Sequence, residues 1–280
     1  MALSFDGSSY LSLDLSGTGP ISAYPFTMVA WIKPPQEKKD WQAFVLSDGT
    51  ETARAGIGPA HYGRWGMYWK NVEQRSGYGF SENYGTASPN PWSHQAVIFA
   101  ESDSRTCYVN GTGNSFNNVN NNTQTLSDMD IIGIGYGPTS GANRLMKGEM
   151  AECALYSVAL DAKDVDALAA GFSPLFIKPE SLLGYWPLGG PLASAASGVD
   201  VLGLRNLSET GTLTEAAHPQ VYYPTLSMRS RVSAEPEPTV PGQGHDYALP
   251  DSVLDYASNS RSDYTTPRQA ADYGVPNDGT

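Results

Sequence analysis

Phe26-Thr27-Met28-Val29-Ala30-Trp31-Ile32-Lys33, followed at once by Pro34-Pro35, decides the fold class. The run is mostly apolar and short. It stops at two prolines, which donate no backbone hydrogen bond and end a ladder. It reads as a buried strand. Strand-like segments continue on both sides. Upstream, Ser9-Tyr10-Leu11-Ser12-Leu13 alternates polar and apolar residues. Downstream, Trp41 to Leu46 closes on Asp48-Gly49, and Trp65-Gly66-Met67-Tyr68-Trp69 follows a glycine-rich approach. Ser93–Phe99 and Arg105–Val109 flank Glu101-Ser102-Asp103-Ser104 and predict a hairpin, with Asn110-Gly111 a further turn signal. Asp130–Gly135, Gly148–Tyr156 and Leu182–Leu188 complete the set. Short strands with this turn spacing predict two packed antiparallel sheets.

One helix is expected, over Ala162–Ala170. Asp161 caps it, Asp164 lies in its first turn, Val165, Leu168 and Ala169 share a face, and Gly171 stops it. It should cover one edge or end of the sandwich.

Composition narrows the function. The chain has 280 residues, 17 basic and 29 acidic, for a formal net charge of −12, with 29 Gly and 20 Pro. An acidic chain does not suit nucleic-acid contact, which needs Lys and Arg on a face. No run of roughly 18 apolar residues suggests a membrane span. The chain opens without a basic and apolar leader, so folding in a cytoplasm is expected, and the two cysteines, Cys107 and Cys153, read as buried free thiols rather than a disulfide.

Three regions are expected: a sandwich domain over 1–190, an extended segment over 191–233 packing on the sandwich or a neighbour, and an acidic arm over 234–280. The arm holds eight acidic and two basic side chains, half of the net charge. It repeats Asp-Tyr pairs, three of them followed by Pro: Asp246-Tyr247…Pro250, Asp255-Tyr256, Asp263-Tyr264…Pro267 and Asp272-Tyr273…Pro276. Tyr247, Tyr256, Tyr264 and Tyr273 offer flat anchors, and Pro250, Pro267 and Pro276 lower the ordering cost of an extended strap. These seven residues are the candidate partner-binding arm.

Phe5-Asp6-Gly7-Ser8-Ser9-Tyr10-Leu11, Phe26–Pro34, Trp92–Val97, Tyr108-Val109-Asn110-Gly111, Ile132–Gly135 and Lys147–Glu152 resemble, in order, the strands of the laminin-G-like, concanavalin A-like jelly-roll superfamily. The resemblance implies an all-β jelly-roll sandwich with one short helix and, here, an extended C-terminal arm. Gly171–Pro179, Tyr185–Leu188, His218-Pro219 and the Asp-Tyr repeats look like jelly-roll proteins of tailed bacteriophages. That second resemblance implies a virion protein made in the host cytoplasm and carried on the virion surface. It would decorate the capsid, with the major capsid protein or sister copies as partners, in a homo-oligomer, a trimer by analogy with viral jelly rolls. The alternative is a carbohydrate-binding adhesin on a tail fibre or cell surface.

No catalytic constellation emerges, and no cofactor or metal is implied. His61, His94, His218 and His245 have no ligand spacing. Glu149 and Glu152 sit three apart on a strand, which predicts opposite faces rather than a hydrolase pair. Sugar binding has better candidates. Trp65, Tyr68, Trp69, Tyr84 and Trp92 crowd one glycine-rich stretch, and aromatic faces stack on sugar rings. Within it, Trp65, Met67 and Trp69 alternate toward the interior, which leaves Tyr68 for the surface.

Overall fold

In a computed structural model the strands form two antiparallel sheets packed face to face. The structure describes residues 1–34, 42–49, 54–60, 64–69, 72–75, 91–102, 104–117, 126, 129–137, 145–189 and 198–224. The strands are β1 (Ala2–Asp6), β2 (Tyr10–Asp14), β3 (Phe26–Lys33), β4 (Phe44–Ser47), β5 (Arg54–Ala60), β6 (Arg64–Trp69), β7 (Val72–Arg75), β8 (Ser93–Phe99), β9 (Ser104–Val109) and β10 (Thr112–Asn117). They continue with β11 (Ile131–Ile134), β12 (Lys147–Tyr156), β13 (Leu182–Trp186), β14 (Ser208–Thr210) and β15 (Thr214–Ala216). One sheet runs β10-β9-β8-β3-β12-β1-β15, with β13 also on β12; the other runs β14-β2-β11-β4-β5-β6-β7. Met1–Pro224 forms one compact unit.

The opening strand shows how the sequence sorts itself. Phe26, Met28, Ala30 and Ile32 of β3 enter the core between the sheets. Thr27, Val29, Trp31 and Lys33 therefore face outward, since successive strand residues point to opposite sides. Phe26 stacks on Phe99 of β8 with ring centroids 4.4 Å apart. Across the sandwich, Phe44 of β4 meets Trp186 of β13 edge-on at 5.9 Å. Each fully buried side chain of this size contributes roughly 1.5–3 kcal/mol.

The outer face of the eight-stranded sheet has its own cover. Helix α1 (Ala162–Ala169) begins with a reciprocal capping box between Asp161 and Asp164. It buries Val165 and Leu168 against Val29, Ala96, Ile98 and Tyr156. The helix thus lies on a sheet face rather than at an edge or end, because β3 and β8 are apolar on both sides and need covering twice. Val201 and Leu202 add to this layer. The buried Asp200 carboxylate accepts hydrogen bonds from the backbone amides of Tyr185 (2.9 Å), Leu202 (3.1 Å), Leu204 (3.3 Å) and Arg205 (3.0 Å).

β12 serves two partners on one side. Residues 147–150 pair with β1 and residues 153–156 with β13. Its register on β3 shifts between Ala151 and Ala154, and Glu152 adopts the left-handed region at φ 55°. This is a bulge in which one extra residue re-aims a side chain. Cys107 and Cys153 are buried and free.

Candidate functional site

The aromatic residues grouped in the sequence separate in space. Trp65, Tyr68 and Trp69 lie on β6 of the seven-stranded sheet, at register positions opposite Pro59, Gly56 and Ala55. Ala55 and Ile57 belong to the inter-sheet core, while the side chains of Trp65, Tyr68 and Trp69 lie outside the described residues. Val45 points away from that core, between Phe44 and Leu46, and is only 1% exposed, so the outer face of this sheet is covered at that point. Tyr84 lies outside the described residues. So do Tyr247, Pro250, Tyr256, Tyr264, Pro267, Tyr273 and Pro276, together with His61 and His245.

Trp92 belongs with the other sheet. It precedes β8, and extending the β3–β8 register by one step sets it opposite Lys33. Trp31 is opposite His94 in the same ladder, and Ala151 of β12 flanks Trp31 on its other side. Trp31 and Trp92 are therefore near neighbours on the outer face of the eight-stranded sheet, beyond the end of the helical cover, and both are half-buried. Lys33 sits between them and an acid: its Nζ lies 2.9 and 3.0 Å from the two carboxylate oxygens of Glu149.

His94 stands beside Trp31 on the same face, as its cross-strand partner. Its ring meets Trp31 edge-on at 5.5 Å and is 1% exposed. Burial drives its pKa from 6.5 down to about 3, so the imidazole is neutral at pH 7. Among the described residues its Nδ1 has no hydrogen-bond partner. The hairpin turn pins the backbone here: Asn110 Oδ1 accepts from His94 N, and Asn110 N donates to His94 O, both at 2.9 Å. Two half-buried indoles and a paired ammonium and carboxylate thus share one sheet face, with apolar surface beside hydrogen-bond donors and acceptors. The sequence held a signal for it. Trp31 and Lys33 fall on the alternate face of a strand whose other face is wholly apolar.

The paired-carboxylate question resolves through the bulge. Glu149 and Glu152 lie on the same outer face, not on opposite faces, because the extra residue at 152 breaks the two-residue alternation. The pair is nevertheless poorly placed for hydrolysis. Glu149 is engaged by Lys33. Glu152 is 2% exposed and takes hydrogen bonds from Tyr185 Oη at 2.5 Å and Tyr223 Oη at 2.6 Å. His218 Nε2 stands 3.1 Å from the same carboxylate but outside hydrogen-bonding alignment. Burial, then the Glu152 charge, push both phenols' pKa upward, which keeps them as donors. The cluster fastens residues 218–223 onto the sheet. Among the described residues no group of three or more His, Cys, Asp or Glu side chains is placed to hold a metal, and no helix is long and apolar enough to cross a membrane.

The chain matches no curated protein by sequence. Among solved structures it resembles a candidate carbohydrate-binding protein from Bacteroides ovatus, at 22% identity and a TM-score of 0.56 over 76% of this chain. It spans 59% of that protein. The heptameric SAP-like pentraxin of Limulus polyphemus matches at 12% identity and a TM-score of 0.50, over 76% of this chain and 93% of that one. Domain 4 of an extracellular GH43 arabinanase from Geobacillus stearothermophilus, solved with arabinotriose, matches at 17% identity and a TM-score of 0.45, over 60% of this chain and 76% of that one. At these identities the likeness is one of fold. Residues 5–166 match the laminin G 3 family, more than half of the sequence, and with the two-sheet architecture this establishes that the chain belongs to the concanavalin A-like lectin/glucanase superfamily.

Proposed function

We propose that this chain is a non-catalytic carbohydrate-binding domain that takes its ligand on the Trp31–Trp92 shelf. The observation that carries the reading is the pairing of two half-buried indoles with the Lys33–Glu149 ion pair on one rigid sheet face. Indole faces offer a pyranose the apolar contact it needs, while an ammonium and carboxylate already neutralising each other can meet neighbouring hydroxyls without favouring a charged ligand. Superfamily membership and the similar Bacteroides protein, itself a candidate carbohydrate binder, support the same reading.

The test is titration calorimetry against neutral oligosaccharides identified on a glycan array, using the intact chain and its Trp31→Ala and Trp92→Ala variants. If a sugar covers about 60 Å² of one indole, the loss is about 1.5 kcal/mol, or roughly tenfold in affinity for each substitution. Unaltered affinity in both variants overturns the assignment of the shelf. Capsid decoration is a separate proposal whose support is sequence resemblance alone. It predicts that a chain lacking residues 234–280 no longer associates with particles, and light scattering on the intact chain tests the expected homo-oligomer.

A further inference from the structure

Beyond β15 the chain crosses the outer face of the eight-stranded sheet as a short strap. Tyr223 reaches inward to Glu152 at 2.6 Å. Its neighbour Tyr222 is locked by its backbone: its N donates to Gly171 O at 2.7 Å, and its O accepts from Ser173 N at 3.0 Å. Gly171 has φ 94°, and a Cβ there would stand 2.7 Å from Gln220 O, so only glycine lets the strap lie this close. With Tyr223 turned in, Tyr222 turns out. It is 52% exposed, beside Phe172 at 45%. Their ring centroids are 5.9 Å apart, and Phe176 backs Phe172 edge-on at 6.1 Å. Gln220 Nε2 donates to Tyr222 Oη at 3.0 Å and supplies a polar rim.

We infer that the Phe172–Tyr222 pair is a second saccharide station on the same side of the sandwich as the Trp31–Trp92 shelf, so that the ligand is a polysaccharide chain held across several units. The inference rests on the carbohydrate reading of that shelf. Large apolar side chains this exposed are few among the described residues, and two of them meet here on a prebuilt support. Two rings are far too small for a stable protein partner, which needs about 800 Å² on each side. They suit one sugar ring, with an amide and a phenol to orient its hydroxyls. The spacing fits a chain. Trp31 is opposite Ala151, Glu152 is the next residue, and Tyr223 reaches Glu152 from the strap. Trp31 and Tyr222 are thus separated by one strand spacing, one residue step and the Tyr223–Glu152 side-chain bridge along the same face.

The experiment is calorimetry on the intact chain with cello-, xylo- and arabino-oligosaccharides of two and six units. It compares wild type, Tyr222→Ala with Phe172→Ala combined, and Trp31→Ala. Wild type should bind the hexamer of its preferred series at least tenfold more tightly than the dimer. The Tyr222/Phe172 variant should keep the dimer affinity and lose the gain with length. Both side chains are exposed, so folding is preserved and is checked by near-ultraviolet circular dichroism. Equal affinity for dimer and hexamer in wild type, or a full gain with length in the double variant, overturns this inference and leaves the shelf assignment standing. Absence of binding to every series overturns both.

Discussion

Acidification should destabilise this protein through His94. The ring is buried beside Trp31, and burial lowers its pKa to about 3 from 6.5. Above pH 6.5 the folded and unfolded chains both hold a neutral imidazole. Below it the unfolded chain takes up a proton that the folded chain refuses, so stability is lost as pH falls, until the folded pKa is reached. At pH 4 the unfolded ring lies about 2.5 pH units below its midpoint while the folded ring is still mostly neutral. The linkage is then worth about 3 kcal/mol. Urea denaturation at pH 7, 5.5 and 4 measures it, with His94→Gln alongside. Wild type should lose about 3 kcal/mol more than the variant between pH 7 and 4, the carboxylate contributions being common to both. Equal losses would refute the reasoning. So would a nuclear magnetic resonance titration in which the folded His94 ring protonates near pH 6.5.

Tyr223→Phe strips one donor from the buried Glu152 carboxylate. A hydrogen bond to a charged group contributes about 1.5–3 kcal/mol, so scanning calorimetry should show Tm falling by roughly 4–8 °C, while an unchanged Tm would mean the strap is not fastened there. Asp200→Ala leaves four backbone amides without their acceptor and should cost about 3–5 kcal/mol in urea denaturation, with Asp200→Asn intermediate. Burial raises the pKa of Cys107 and Cys153, so both thiols stay protonated when folded; this stability is present below the unfolded thiol pKa and is lost as pH rises beyond it. A thiol reagent at pH 8 should label neither cysteine in the native protein and both in urea.

The strands that decide the fold were readable because apolar alternation and turn residues agree at β3, β8, β9, β11 and β12. The helix was readable from Asp161, Asp164 and Gly171. β14 and β15 were not, since three polar residues at an edge carry no period. The Glu149–Glu152 geometry was missed because a bulge is set by pairing on both sides of β12, which no local pattern encodes. Trp92 was grouped with Trp65 and Trp69 by closeness in sequence, although β8 returns to the opposite sheet. Trp31, read as part of an apolar strand, became a site candidate only once β8 and β12 fixed which residues flank it.

β14 and β15 also guard against self-association. β14 pairs with β2 and β15 with β1, and these two strands, consecutive in the chain, form the same flank of both sheets. One segment of nine residues, 208–216, therefore seals two open ladders at once. Its exposed Ser208, Glu209, Thr210, Thr214 and Glu215 give an incoming strand little apolar surface to add to. A chain cut before Ser208 would keep most of its core yet leave the outer edges of β1 and β2 open. Its failure would then show as edge-to-edge aggregation rather than as loss of the sandwich.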